Sequence, residues 1–298
     1  MRWKGRRASE NVEDRRGGGK VGGISILGLV VAFIAWKFFD VDPQQAYQAT
    51  QQITQQAQSN TATELQQPTA EQQQDAAFVA TILADTEDIW STIFKTNGEQ
   101  YRQPKLVMFN GRVDSACGAA VSAVGPFYCP ADQKIYIDTQ FFREMHQQLG
   151  IAADGQPSER INSNQAGDFA QAYVLAHEVG HHVQNIMGIS SQVQKARSKA
   201  NQVQSNQLSV RLELQADCFA GVWAHHNQNR TQFLQQGDIE VAMDAAEKIG
   251  DDYLQKRATG QVVPDSFTHG KSAQRMQWFK TGLDTGEITR CDTFSAAI

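Results

Sequence analysis

The 298-residue chain has few cysteines (four), no internal repeat and no strongly basic composition. A net charge of -5 leaves no electrostatic footprint for nucleic acid, so no nucleic-acid partner is expected. Between Phe38 and Phe94 there is no Lys or Arg at all, whereas Arg2, Lys4, Arg6, Arg7, Arg15, Arg16 and Lys20 crowd the first twenty residues. Large apolar residues are almost missing from residues 40–75, which hold thirteen Gln. Such a stretch buries too little surface to offset its ordering entropy and reads as a tether, with a polar, partly helical stalk as the alternative. The remainder is ordinary for a globular protein, with 41% hydrophobic and 20% charged residues, and is long enough for one sizeable core or two small ones.

One long apolar run is present. Val21 to Phe39 carries a single charge, Lys37. As a helix it would be about 28 Å long, close to a bilayer core of about 30 Å. Trp36 and Lys37 suit an interfacial position. With basic residues on the N-terminal side only, the positive-inside rule predicts a cytoplasmic N-terminus and an exported remainder. A cleaved signal peptide is the rival reading, but no small-x-small site follows the run. The expectation is a single-pass membrane protein. It would have a cytoplasmic basic tail (1–20), a transmembrane anchor (21–39) in the lipid bilayer, a Gln-rich linker (40–75) and an extracytoplasmic domain (76–298).

Four cysteines fit an exported domain and allow three pairings. Cys117 and Cys129 flank a small-residue segment and can close a local loop. Cys218 and Cys291 would then tie the C-terminal tail to an interior helix. The alternative is four free thiols.

Apolar residues at helical spacing from Asp75, stopped by Asn97-Gly98, predict a helix. Lys105 to Phe109 predicts a short strand, and Phe127 to Cys129 with Lys134 to Asp138 a hairpin. Further helices are expected over about 140–149, 167–187, 190–228 (with a possible break), 238–257 and 270–281. The class is α+β, mainly helical with a small sheet.

Residues 177–181 read His-Glu-Val-Gly-His. On a helix, positions i and i+4 stack on one face, so His177 and His181 can reach one metal ion. Glu178 lies on the same broad arc, placed to act as general base on water at a metal. Gly180, costly in mid-helix, implies that a backbone or a substrate passes close by. A catalytic zinc needs a third protein ligand. Downstream, Glu213 and Asp217 again stand at i, i+4 in an otherwise apolar run, where buried carboxylates need compensation. Glu213 is assigned to the metal. Asp217 is assigned to accept a ring N–H from a ligating histidine. One Zn²⁺ per chain is expected. Among the remaining histidines, His182 points about 100° away from His181 around the helix and reads as a solvated or packed neighbour. His225 and His226 read as capping or surface groups, and His146 has no evident role.

These motifs carry a family resemblance. HExxH followed by ExxAD is similar to the gluzincin metallopeptidases, including HtpX-like membrane peptidases. More closely, the Cys117–Asp138 segment with Gly125-Pro126-Phe127-Tyr128-Cys129-Pro130-Ala131-Asp132-Gln133 resembles the putative neutral zinc metallopeptidase family. So do HEVGHH, the ELQAD segment and the stretch from Phe267 to Met276. The likeness covers about 1–298. It implies an anchored, extracytoplasmic zincin-like domain preceded by one transmembrane helix in a bacterial inner membrane, and zinc-dependent hydrolysis of a peptide or protein substrate. It also implies a substrate strand pairing with Lys134–Asp138, and an oxyanion donor at the late His269, for which a helix-cap region is the alternative. A zinc-binding envelope scaffold or assembly factor without proteolysis is the competing function.

Overall fold

The computed structural model describes residues 1–16, 69–121, 125–139, 163–296 and 298. All but Arg16, Thr69 and Ala70 of these belong to one compact unit, Met1–Arg15 with Glu71–Ile298. The apolar run 21–39, residues 40–68 of the expected linker and the helix expected at 140–149, with His146, lie outside the described residues. No helix among the described residues is long and apolar enough to cross a membrane.

The elements are β1 (Val12–Asp14), α1 (Ala70–Thr96), β2 (Lys105–Phe109), β3 (Arg112–Ser115), β4 (Gly118–Val121), β5 (Phe127–Cys129) and β6 (Lys134–Asp138). Then follow α2 (Ser163–Ile186), α3 (Ile189–Arg197), α4 (Gln202–Thr231), α5 (Asp238–Lys248), α6 (Asp251–Thr259) and α7 (Ser272–Thr285). Short 3₁₀ turns lie at Pro264–Ser266 and Ile288–Cys291. The class is mainly helical with a small sheet, as the sequence predicts. The structure moves the end of the expected linker, because residues 70–75 already belong to α1. The long helix expected at 190–228 is two, α3 and α4, restarted by an Asn201–Gln204 capping box. The helix expected at 238–257 is also two, broken at Ile249-Gly250.

The main sheet has the order β1-β2-β6-β5, with β5 antiparallel and the others parallel, and β3 and β4 form a separate hairpin. Two features were not foreseen. The β3–β4 hairpin is short and built partly of Gly and Ala, which carry little strand signal. Strand β1 comes from the basic segment read as a tail, and pairs Val12–Asp14 with Leu106–Met108.

The helical core is set by two close crossings. Gly180 of α2 meets α4, where a Cβ would lie 2.9 Å from the Ala216 carbonyl oxygen. Gly282 of α7 meets α4 as well, with a Cβ there 2.0 Å from the Cys218 carbonyl oxygen. Only glycine permits these approaches. The first holds the helix carrying His177 and His181 against the one carrying Glu213 and Asp217, and the second holds α7 against the latter. Phe169, Tyr173, Phe219, Trp223 and Phe279 fill the space around them, each no more than 1% exposed. Disulfides join Cys117 to Cys129 and Cys218 to Cys291, the pairing expected. The second fastens the C-terminal 3₁₀ turn to α4 one residue beyond Asp217.

Candidate metal centre

The close crossing of α2 and α4 brings His177, His181 and Glu213 together, one donor atom from each within 4.8 Å of the others. His177 Nε2 lies 3.1 Å from Glu213 Oε2, and His181 Nε2 lies 3.4 Å from Glu213 Oε1. Donors bonded to one tetrahedral zinc at about 2.0–2.2 Å stand about 3.3 Å apart, so these separations fit an ion among them. The two imidazoles are nearly perpendicular, at 87°, with centroids 4.7 Å apart.

Both rings are oriented from behind. His177 Nδ1 is 2.8 Å from Asp217 Oδ1, and His181 Nδ1 is 2.9 Å from Gln184 Oε1. An ionised carboxylate and an amide carbonyl only accept, so each Nδ1 donates and each Nε2 keeps its lone pair for a metal. The Gln184 amide is itself fixed, because its NH₂ donates to the Leu212 carbonyl at 2.6 Å and to Gln215 Oε1 at 3.2 Å. Asp217, fully buried, also accepts from Tyr173 Oη at 2.5 Å and from Arg275 Nε at 2.9 Å. Asp217 thus stands where the sequence placed it. Gln184, Tyr173 and Arg275 were not assigned to the site. Gln184, three residues after His181 on one helix, carried a usable spacing signal. Tyr173, four residues before His177, stands in an i,i+4 relation to it. Arg275 reaches Asp217 from a distant helix, which no local pattern foretells.

The charges follow from these contacts. Burial works against ionisation of Asp217, but the Arg275 guanidinium and His177 outweigh it and hold the carboxyl at about 2. Burial likewise opposes a charged imidazole at His177, yet Asp217 and Glu213 push it up to about 10. His181 is raised as well, mainly by Glu213 against burial. Glu213 is held well below the usual carboxylate range by His181 and His177 despite its burial. The cluster is built for a cation, whether a proton or a metal ion.

Glu178, 7% exposed, lies beside the donors on the same turn of α2, and its charge acts on His181. The His269 side chain is 54% exposed. Its Nδ1 is 3.1 Å from Asp251 Oδ1, and that contact chiefly raises its pKa, with a contribution from Glu213. Asp251 also accepts from the backbone N–H groups of Thr268, His269 and Gly270, so it fixes the turn that carries the imidazole. No sequence signal marked Asp251.

His182 is a packed neighbour. It donates from Nε2 to the Arg102 carbonyl at 2.6 Å and accepts at Nδ1 from Tyr128 Oη at 3.1 Å. Burial pushes it down to about 4, so it is neutral. It ties β5 to the helix that carries His177 and His181. His225 and His226 cap the end of α7 through the Leu283 and Gly286 carbonyls. The strand expected to receive substrate needs correction. Lys134–Asp138 is an interior strand, bonded to β2 on one side and β5 on the other, so its backbone groups are taken. Among the described residues the outer strand on that side is β5, Phe127–Cys129.

Two histidines four residues apart on one helix, a glutamate from a second helix and a further glutamate beside the first histidine form the HExxH arrangement, a cluster that could hold a metal ion. The sequence profile of the putative neutral zinc metallopeptidase family matches residues 1–294, and the chain belongs to that family. It is 45% identical over 309 aligned residues to the uncharacterized protein YpfJ of Escherichia coli K12, covering all of both chains. It is 39% identical over 229 residues to the uncharacterized protein Rv2575 of Mycobacterium tuberculosis H37Rv, covering 74% of this chain and 72% of that one. No solved structure matches.

Proposed function

We propose that this protein hydrolyses peptide bonds with one zinc ion held by His177, His181 and Glu213. The observation that supports this reading best is the donor set itself. Two Nε2 atoms and a carboxylate face one point, both rings are fixed through Nδ1, and Glu178 stands beside them without being needed as a ligand. Zinc, when bound, supplies Lewis acidity, acidifying water and polarising a carbonyl. Glu178 takes the proton of the attacking water and delivers it to the departing amine. His269, steadied by Asp251, donates to the oxyanion that develops on the substrate. Asp217 and Gln184 keep both imidazoles in the tautomer that leaves Nε2 free. The outer edge of β5, tied to α2 through Tyr128 and His182, is the surface on which an extended peptide would pair. The two disulfides favour an oxidising, extracytoplasmic location for the domain.

The test is a mixed peptide library read by mass spectrometry. The protein as purified should cleave it, chelation should abolish cleavage, and added zinc should restore it. A protein that binds one zinc per chain and cleaves nothing would favour the scaffold reading instead.

A further inference from the structure

The first fifteen residues are built into the domain rather than appended to it. Trp3 is 8% exposed, meets Phe78 edge-on at 5.4 Å, and donates from Nε1 to Asp168 near the start of the helix that carries His177 and His181. Glu87 of α1 is 1% exposed and accepts from Arg7, Ser9 and Asn11, all in this segment. Arg6 pairs with Asp85, 2% exposed, at 2.9 Å. Strand β1 then covers β2, and the Leu106 N–H donates to the Asn11 carbonyl. Detaching the segment would take three donors from a buried carboxylate, open the edge of β2 and expose the ring face of Phe78. Each of these is unfavourable, so the segment and the domain fold as one unit.

This bears on the only long apolar run in the sequence. Residues 21–39 are long enough for one crossing of a bilayer. Residues 40–68, with their many glutamines, offer no second run to bring the chain back. One complete crossing would leave residues 1–15 and 71–298 on opposite faces, and β1 could not pair with β2. We infer that the amino-terminal segment, residues 1–15, and the domain of residues 71–298 lie on the same side of the membrane. A single-pass topology with the N-terminus and the domain in different compartments is incompatible with the docked segment. So is removal of the first 39 residues as a signal peptide. The inference goes beyond the proposed activity and does not depend on it.

The four native cysteines are paired, so an added cysteine is a selective probe. Glu10→Cys and Val263→Cys, both at exposed positions, would be made singly in the full chain and expressed in bacterial spheroplasts. A membrane-impermeant maleimide would be applied before and after permeabilisation. The two positions should behave alike, both labelled from outside or both only after permeabilisation. Opposite behaviour would overturn the inference. Mapping the N-terminus of the protein recovered from the same cells supplies a second reading. Retention of residues 1–15 is expected, and a mature chain beginning beyond residue 39 would also overturn it. Where Glu10→Cys fails to accumulate, Ala8→Cys, likewise exposed, reports the same side.

Discussion

The two histidines of the candidate metal centre are held in different ways. His177 leans on a buried anion, Asp217, which is backed by Arg275 and Tyr173. His181 leans on a neutral amide, Gln184, fixed by its own hydrogen bonds. A charged anchor strengthens the ligand's basicity and couples it to the fold, because an unpaired buried charge is costly. A neutral anchor sets the tautomer and does little else. The His177 arm should therefore matter to stability and metal affinity together, and the His181 anchor mainly to affinity.

The largest effect should come from breaking the charged arm at its base. Arg275→Met leaves Asp217 buried with its strongest partner gone, and should cost about 3 kcal/mol or more of unfolding free energy. Denaturant unfolding of the chelated protein measures it. A loss below about 1 kcal/mol would mean that the arginine is not carrying the carboxylate.

The anchors can then be compared directly by zinc affinity. Asp217→Asn should weaken binding by about 10- to 100-fold, and Gln184→Ala by no more than about 10-fold. Competition with a chromophoric chelator gives both constants. Equal effects would dissolve the distinction between the arms.

The pH dependence of the metal-free protein should be smaller but diagnostic. His177, raised to about 10, contributes stability that is complete below its unfolded value of about 6.5 and disappears as pH rises through about 10. Asp217, held at about 2, contributes stability present above about 3.9 that disappears as pH falls through about 2. Thermal melts of the chelated protein should fall between pH 7 and 10. Saturating zinc should remove that upper decline, because the metal takes the place of the proton. A decline unchanged by zinc would place the titrating group elsewhere.

The site was more legible in the sequence than the fold around it, for a reason of range. His177, His181, Glu213 and Asp217 announce themselves through i, i+4 spacing within single helices, and Gly180 signalled the helix crossing that unites them. Asp251 and Arg275 act across helices and left no local pattern. Strand order is likewise non-local. The hairpin of β5 and β6 could be read, but not that β2 would cover β6 and leave β5 outermost. Strand β1 was the least legible, since three residues in a basic stretch pair with a partner more than ninety positions away. Its charges pointed towards a cytoplasmic tail, whereas Arg6 and Arg7 pair with Asp85, Glu87 and Asp88 inside the unit.

The account rests on Glu178 being a base and not a ligand, and one paired measurement tests that claim. Zinc content and peptide hydrolysis should be measured on the same samples of wild type and Glu178→Gln. The amide is nearly isosteric and leaves His177, His181 and Glu213 in place, so zinc should remain at one per chain. Hydrolysis should fall by about 10²- to 10⁴-fold, the usual contribution of a positioned acid–base group. Glu178→Gln protein that keeps its zinc and cleaves as fast as wild type would contradict the mechanism.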